Sequence, residues 1–460
     1  MRFTFNRKEF LTALTACGNA VEKKTTIPIL NNVLLELGPT NWLEITGTDL
    51  EIAVRRMVPV SNRSSEERFC ITMPLAIVSK FLTSSKVDTV TFDSPACDLV
   101  DCTLCDGTGG GTFKHGGEDA IGPKPKCLRC DGTGKHLGQP VINLIAGATF
   151  QVEGMSAENF PDIPAIGTPE FPVIRLLDIT ADAWIDMSDK VSFAISQEES
   201  RFTLNGFLLE IKDKVRMVAT DGHRLALIER GEMPEGTTPE RALVPKRSAG
   251  IIKKVLGKSK DTVTILLTKE VDDKGELTGK NGNYLVFISG ATVIITRIMT
   301  GNFPDWERVV PRRQPNPARA TAKLLVQGID AVKHCADDRS GAIRMKFNCE
   351  AVSLVAEAVD RGKAQIDVPC RTAIASGVEV VFNHKYMLDF LKAIDDVDIV
   401  AIHCHGEPEG VKVDDYGVPI NEDTEEKAEE RRRSRAAKGA WLFQSTADAG
   451  FSCVIMPMRI

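Results

Sequence analysis

Four cysteines in two tight pairs are the residues whose spacing best suits chemistry: Cys102-Thr103-Leu104-Cys105 and Cys127-Leu128-Arg129-Cys130. Two C-x2-C hooks about twenty residues apart supply four thiolates, enough for a closed tetrahedral zinc site. Asp-Gly-Thr-Gly follows each hook, and glycine lets the backbone turn back around a metal without a steric penalty. Four thiolates leave no open coordination position. Cys102, Cys105, Cys127 and Cys130 therefore predict a structural zinc rather than a catalytic one. The stretch from about 98 to 139 is too small and glycine-rich to bury its own core, so the metal would act as its staple.

Other candidate chemistry is thin. His403-Cys404-His405 has metal-ligand character, but it sits in the strand-like run Ile399-Val400-Ala401-Ile402 with no carboxylate close in sequence. Gly132-Thr133-Gly134-Lys135-His136 fails as a phosphate loop, because Arg129 takes the first glycine position and His136 replaces the hydroxyl. Nucleophile-elbow, zincin and dinucleotide fingerprints are missing from the sequence. The pattern favours a binding or structural role over catalysis.

The elements that would position these residues repeat. Asn159-Phe160-Pro161-Asp162 returns as Asn302-Phe303-Pro304-Asp305. Met73-Pro74-Leu75 through Leu82 reads as a strand end turning into a short amphipathic helix. Val244-Pro245-Lys246 through Leu256 and Phe382-Asn383-His384 through Ile394 have the same form. In all three, apolar residues recur at helical spacing while lysines occupy the other face. The openings match too, at Phe3-Thr4-Phe5-Asn6, Ile179-Thr180-Ala181-Asp182 and Ala320-Thr321-Ala322-Lys323. Three copies of one domain follow, placed at 1–168, 169–312 and 313–460. A chain of 460 residues has room for about three domains of ordinary size.

Two segments break this texture. Strand-like flanks at Thr89–Phe92 and Val141–Ile145 make the cysteine-bearing segment an enlarged hairpin loop. A second insert, about 406 to 439, carries an acidic run followed by Arg431, Arg432, Arg433 and Arg435. Acid before base favours a helix, and the scarcity of apolar residues equally suits a disordered excursion. It reads as a solvated surface segment, with a nucleic-acid or partner contact as the alternative.

A hydrophobic content of 43% fits a soluble globular chain, and no apolar run approaches the ~20 residues needed to cross a bilayer. The N-terminal stretch lacks the apolar core of a secretory signal. A formal charge of -6 argues against coating by nucleic acid over the whole surface while leaving room for a local basic face. Eight of the 12 cysteines are scattered singly and suit reduced core positions, so a cytoplasmic compartment is expected.

The strings Ile27-Pro28-Ile29-Leu30, Gly47-Thr48-Asp49-Leu50-Glu51, Thr220-Asp221-Gly222-His223-Arg224-Leu225-Ala226 and Cys453-Val454-Ile455-Met456-Pro457-Met458-Arg459-Ile460 occur in this order. Together they closely resemble the bacterial DNA polymerase III beta subunit, the sliding clamp, across all but the two inserts. The resemblance implies an α+β protein of three repeated DNA-clamp domains, with helices lining the inside and antiparallel sheets outside. Two protomers would close into a head-to-tail homodimeric ring around double-stranded DNA, held by topology and without sequence specificity. Lys24, Lys80, Lys246, Arg247 and Lys385 would face DNA. Lys253, Lys254 and Lys392 would face it or point outward, and Lys24 would alternatively be a plain surface lysine. Surplus acid on the outside would repel non-productive DNA.

The resemblance also implies a peptide groove. Its walls would be Leu204, Thr220, Gly222, His223, Arg224 and Leu225, then Pro304, Arg308 and Val309. Val454, Met456, Pro457, Met458 and Arg459 would complete it, for the polymerase catalytic subunit, the clamp loader and repair factors in turn. Methionines adapt to several apolar anchors, and arginines at the rim hold peptide carbonyls or carboxylates. Where the family places aliphatic residues at the ring-closing interface, this chain has the polar run Lys333 to Arg339, which weakens the expected closure. Residues 98–139 alone resemble the cysteine-rich zinc modules of J-domain co-chaperones. The rival readings are accordingly a zinc-module, chaperone-like peptide binder and a zinc-dependent hydrolase.

Overall fold

The structure, a computed structural model, describes residues 1–22, 25–95, 99–101, 135–137, 139–233, 237–314, 317–348, 350–372, 374, 378–404 and 439–458. One order of elements occurs three times. The first repeat runs β1 (Arg2–Asn6), α1 (Arg7–Gly18), β2 (Asn32–Leu37), β3 (Trp42–Thr48), β4 (Ile52–Ser61), β5 (Phe69–Pro74), α2 (Leu75–Ser84) and β6 (Thr89–Asp93). It continues through β7 (Leu99–Asp101), β8 (Lys135–Leu137), β9 (Val141–Ile145) and β10 (Thr149–Glu153). The second repeat opens with β11 (Val173–Thr180), α3 (Ala181–Ser192), β12 (Gly206–Ile211), β13 (Lys214–Thr220) and β14 (Arg224–Glu232). It closes with β15 (Glu240–Pro245), α4 (Lys246–Leu256), β16 (Thr262–Val271), β17 (Leu277–Ser289) and β18 (Thr292–Arg297). The third opens with β19 (Ala318–Thr321), α5 (Ala322–Val332), β20 (Ala342–Phe347), β21 (Ala351–Ala358) and β22 (Gly362–Pro369). It closes with β23 (Glu379–Asn383), α6 (His384–Leu391), β24 (Ile399–His403), β25 (Trp441–Ser445) and β26 (Phe451–Ile455). With β7 and β8 set aside, each repeat is strand, helix, four strands, helix, three strands.

Local chemistry explains the strand-to-helix junctions that recur in the sequence. Asn6 caps α1 by accepting from the amides of Lys8 and Glu9, Thr180 caps α3, and Asn383 caps α6. Such caps satisfy amides that have no partner inside the helix. Pro74 and Pro245 end β5 and β15 directly before α2 and α4, where a missing N–H costs nothing. Each helix then buries one apolar stripe. Helix α1 covers Phe10, Ala13, Leu14, Ala16 and Cys17, and α3 covers Trp184, Ile185, Met187 and Val191. The close approach of β3 to α1 requires Gly47, where a Cβ would lie 2.4 Å from the carbonyl oxygen of Cys17.

The chain gathers into two compact units. The first comprises residues 1–178, 251–257 and 261–297, and the second 179–250, 258–260 and 298–460. The first unit contains a sheet ordered β10-β9-β6-β1-β4-β18-β17-β16-β11, with β3, β2 and β5 continuing from β4. Its core stacks Phe3 on Phe92 at 4.6 Å and Phe5 on Phe10 at 4.0 Å. The second unit contains the order β15-β12-β13-β14-β26-β25-β24-β19 and a smaller sheet β22-β21-β20-β23. Repeats therefore share sheets: β4 of the first pairs β18 of the second, and β14 of the second pairs β26 of the third. No helix among the described residues is long and apolar enough to cross a membrane.

Both inserts sit at the same place in the repeat, the hairpin that follows its second helix. Strands β6 and β9 pair with Phe92 opposite Leu144, so the cysteine segment is a hairpin loop as expected. Strands β24 and β25 pair with Ile402 opposite Phe443, which makes the charged segment another. The middle repeat lengthens the same hairpin differently. There β16 and β17 pair regularly up to Leu267 opposite Leu285, then continue through two register shifts to Val271 opposite Leu277. Gly275, at φ +80, makes the tip.

Among the described cysteines, Cys17, Cys370 and Cys453 are buried, as a core reading predicts. Cys70 is exposed, and Cys335 and Cys404 are intermediate, so the core assignment does not hold for them. Cys70 alternates outward on β5 beside buried Ile71. Burial pushes the Cys17 thiol up to about 12, which leaves it an inert apolar group.

Candidate functional site

The proposed groove residues converge within the second unit because β14 pairs with β26. Arg224 lies opposite Ile455 and Leu225 opposite Val454, which brings the 220–224 turn against the C-terminal strand. Beyond β26 the chain stays anchored: the Met456 amide donates to the His223 carbonyl at 2.9 Å, and the Met458 amide to that of Val381 at 2.8 Å. The turn is stiffened by Asp221, whose Oδ1 accepts from the amides of His223 and Arg224 at 2.9 and 3.0 Å. Thr220 Oγ1 donates to the Arg224 carbonyl at 2.7 Å. Gly222 adopts φ +89, a left-handed conformation that other residues rarely take.

Leu208, Val218, Leu225, Leu227, Leu243, Met299, Trp306, Ala440, Leu442 and Val454 form one buried apolar cluster, with Phe303 and Val310 packed against it. Around this floor Val309 and Met456 are exposed, Leu204, Pro457 and Met458 are half-buried, and Pro304 and His223 are exposed. Arg308 stands at the surface, its side chain 85% exposed, paired to solvent-exposed Asp305 at 2.7 Å. The arginine available at the rim is thus Arg308. Arg224 is only 10% exposed along its side chain, with its guanidinium engaged by Asp221 and Asp389. Arg459 lies outside the described residues. Trp306 is the floor residue that sequence reasoning missed. Its signal was present, since it directly follows the repeated Asn-Phe-Pro-Asp string.

Candidate DNA contacts fall on the second helix of each repeat. Lys80 on α2, Lys246, Arg247, Lys253 and Lys254 on α4, and Lys385 on α6 are all exposed, as is Lys392 just after α6. Opposite faces of these helices are buried, through Val78 and Leu82, Ile251 and Ile252, and Met387, Leu388, Phe390 and Leu391. An exposed ammonium on a helix anchored this way reaches a phosphate without repacking the core. Helix α3 differs: its exposed Asp186 and Asp189, with half-buried Asp182 and Lys190, line an open cleft of about 490 Å³ in the second unit. Lys24 lies outside the described residues.

Metal chemistry divides in the same way. Cys102, Cys105, Cys127, Cys130 and His405 lie outside the described residues. Among the described residues no three His, Cys, Asp or Glu side chains gather as a metal site. His403 is a core residue, 3% exposed, and its Nδ1 accepts from the Gln314 amide at 2.9 Å. Burial, then the positive charge of Arg313, lowers its pKa to about 4. The unfolded chain, with a histidine near 6.5, binds more protons than the folded one between those values. Stability should therefore fall as pH drops through that window, by about 2–3 kcal/mol at pH 4.5 relative to pH 7. Urea unfolding at the two pH values checks this, and His403→Gln should flatten the dependence; an equally steep loss in the variant would assign it to other groups.

Comparison with known proteins meets this geometry. Family models described as DNA polymerase III beta subunit, N-terminal, central and C-terminal domain match residues 1–95, 178–305 and 307–404. A beta sliding clamp of Synechococcus elongatus is 25% identical over 404 residues, 87% of this chain and 92% of that protein. The crystal structure of the DNA polymerase III subunit beta from Pseudomonas aeruginosa superposes with TM-score 0.73 at 20% identity, over the whole of both chains. A sliding clamp structure from the same organism, bound to griselimycin, gives 0.72 at 21%, again over both whole chains. Three domain models in the order of the three structural repeats leave one conclusion: the chain belongs to the DNA polymerase III beta subunit family, the bacterial DNA sliding clamps.

Proposed function

We propose that two copies of this chain close head to tail around duplex DNA and act as a non-catalytic processivity factor. The observation that carries this reading is the threefold repeat, in which α2, α4 and α6 each expose lysine or arginine over a buried apolar stripe. Phosphate contacts fix no sequence register, so loose ones centre the duplex while the ring slides. Sheet edges support closure. Strand β10 ends the sheet of the first unit, and β22 ends the smaller sheet of the second. Both are mostly exposed, and a free edge of this kind is a template for pairing with another chain. Edge pairing between protomers would supply closure even though Lys333 to Arg339 is polar. The groove of the second unit would take short peptides from the polymerase catalytic subunit, the clamp loader and repair factors, with Met456 and Val309 as adaptable walls. Such a clamp would work in the reducing cytoplasm. The test is retention on circular against linearised DNA.

The cysteine segment would carry a structural zinc. Its donors are four thiolates, and the β7–β8 ribbon supports their convergence. Asp101 pairs with Lys135, which closes a stem directly before Cys102 and five residues after Cys130. Zinc supplies there a crosslink and no reaction. Purified protein should hold about one zinc per chain, with Zn–S distances near 2.3 Å by X-ray absorption. Cys105→Ser and Cys130→Ser should each lose it. Protein that binds no zinc after reduction and reconstitution would end this reading. Deleting 98–139 should leave DNA retention intact, which separates the clamp from a zinc-module chaperone.

A further inference from the structure

Arg224 sits where three elements meet. Its Nε donates to Asp221 Oδ2 at 3.1 Å, on the turn that forms the groove wall. Its Nη1 donates to Asp389 Oδ2 at 2.6 Å, on α6, and its Nη2 to the Phe193 carbonyl at 2.6 Å, just past α3. The guanidinium also lies 4.6 Å from the Tyr386 ring centre and 5.3 Å from that of Phe193. Three of its five N–H donors, one on each nitrogen, are engaged in this way, which fixes the orientation of the guanidinium. On the outer side of the turn, the His223 ring stacks on Tyr386 at 6.4 Å and 15°. Tyr386 and Asp389 are three residues apart, on one face of α6. The wall formed by Gly222 and His223 is therefore held from a helix that belongs to another repeat.

We propose that Arg224 and Asp389 are positioning residues for the peptide groove: they do not grip the peptide but lock the 220–224 turn onto α6, so that the wall is preformed. A preformed wall avoids the ordering cost that a loose turn would impose on binding. Arginine is required because only its planar fork can hold two carboxylates and a carbonyl while stacking on an aromatic ring. This rests on the groove reading above.

Asp389→Ala is the cleanest test. Asp389 is 39% exposed along its side chain and borders the open cleft, and alanine is the best helix former, so α6 should keep its structure. The probe is fluorescently labelled griselimycin, the compound held by the Pseudomonas aeruginosa clamp. Met456→Asp should abolish its binding. Asp389→Ala should weaken it about fivefold to tenfold, as should Arg224→Lys, and the double variant should be no weaker than Arg224→Lys alone. Asp448→Asn, which breaks the ion cluster with Arg230 and Lys190 in the same unit, should lower the melting temperature and leave affinity unchanged. Full affinity in Asp389→Ala beside lost affinity in Met456→Asp overturns the positioning role and keeps the groove. Full affinity in Met456→Asp overturns both. Equal weakening by Asp448→Asn overturns the positioning role in favour of general destabilisation.

Discussion

A clamp of this kind, once loaded on a closed circular duplex, should survive a wash in about 0.5 M salt and leave promptly when the circle is cut. The contrast follows from what holds it. Lys80, Lys246 and Lys385 are exposed cations on helix surfaces, suited to phosphates rather than base edges. Contacts of this type give non-specific dissociation constants of roughly 10⁻⁴–10⁻⁶ M, falling steeply with salt. With association near 10⁷ M⁻¹s⁻¹, a protein held by them alone leaves in about 0.1 s or less. A closed ring leaves only when an interface opens. Residence on circular DNA should therefore exceed that on cut DNA by at least about a thousandfold, as read by gel filtration or single-molecule imaging after loading by the cognate clamp loader. Equal retention on both forms would reject encirclement.

Trp441→Ala should be the most damaging single change in the third repeat. Trp441 opens β25 immediately after the charged insert and is fully buried. Its ring stacks on Phe347 at 5.3 Å and 15°, and Phe382 meets it edge-on at 5.9 Å. Truncating a buried tryptophan costs about 3–5 kcal/mol, a large share of the roughly 5–15 kcal/mol that keeps a domain folded. Denaturant unfolding should show an early transition for the second compact unit, while the first unfolds at its original midpoint. Trp441→Phe, which keeps an aromatic face, should lose less than half as much. A loss below about 1 kcal/mol in the alanine variant would mean that this aromatic stack is not what holds β25 to the smaller sheet of β20 and β23.

Much of this architecture was readable in the sequence because it is local. Asn6, Thr180 and Asn383 cap helices, Pro74 and Pro245 punctuate strand ends, and apolar stripes recur at helical spacing. Each of these signals is contained within a dozen residues. The sharing of sheets between repeats was not readable, since β4–β18 and β14–β26 pair residues more than two hundred positions apart. Trp306 was missed for a related reason. A lone tryptophan after a repeated string looks like any surface aromatic until the fold sets it among Leu225, Leu442 and Val454. Arg224 shows the converse limit. Its place in the groove motif was legible, but its role depends on Asp389 and Tyr386, which lie about 160 residues downstream. The long β16–β17 ribbon also went unread, because its tip is charged and glycine-rich and resembles an ordinary loop.

That ribbon and the two inserted loops occupy one topological address, used three times with unrelated contents. A fold that accepts a cysteine-hook module, a charged tract and a bare extension at corresponding turns must insulate its sheets from whatever is grafted there. The same address offers the engineer a tagging point. Gly275 has nothing within 4 Å of where a side chain would begin, so a fluorophore or affinity epitope spliced at that tip would report on the protein without burdening its core.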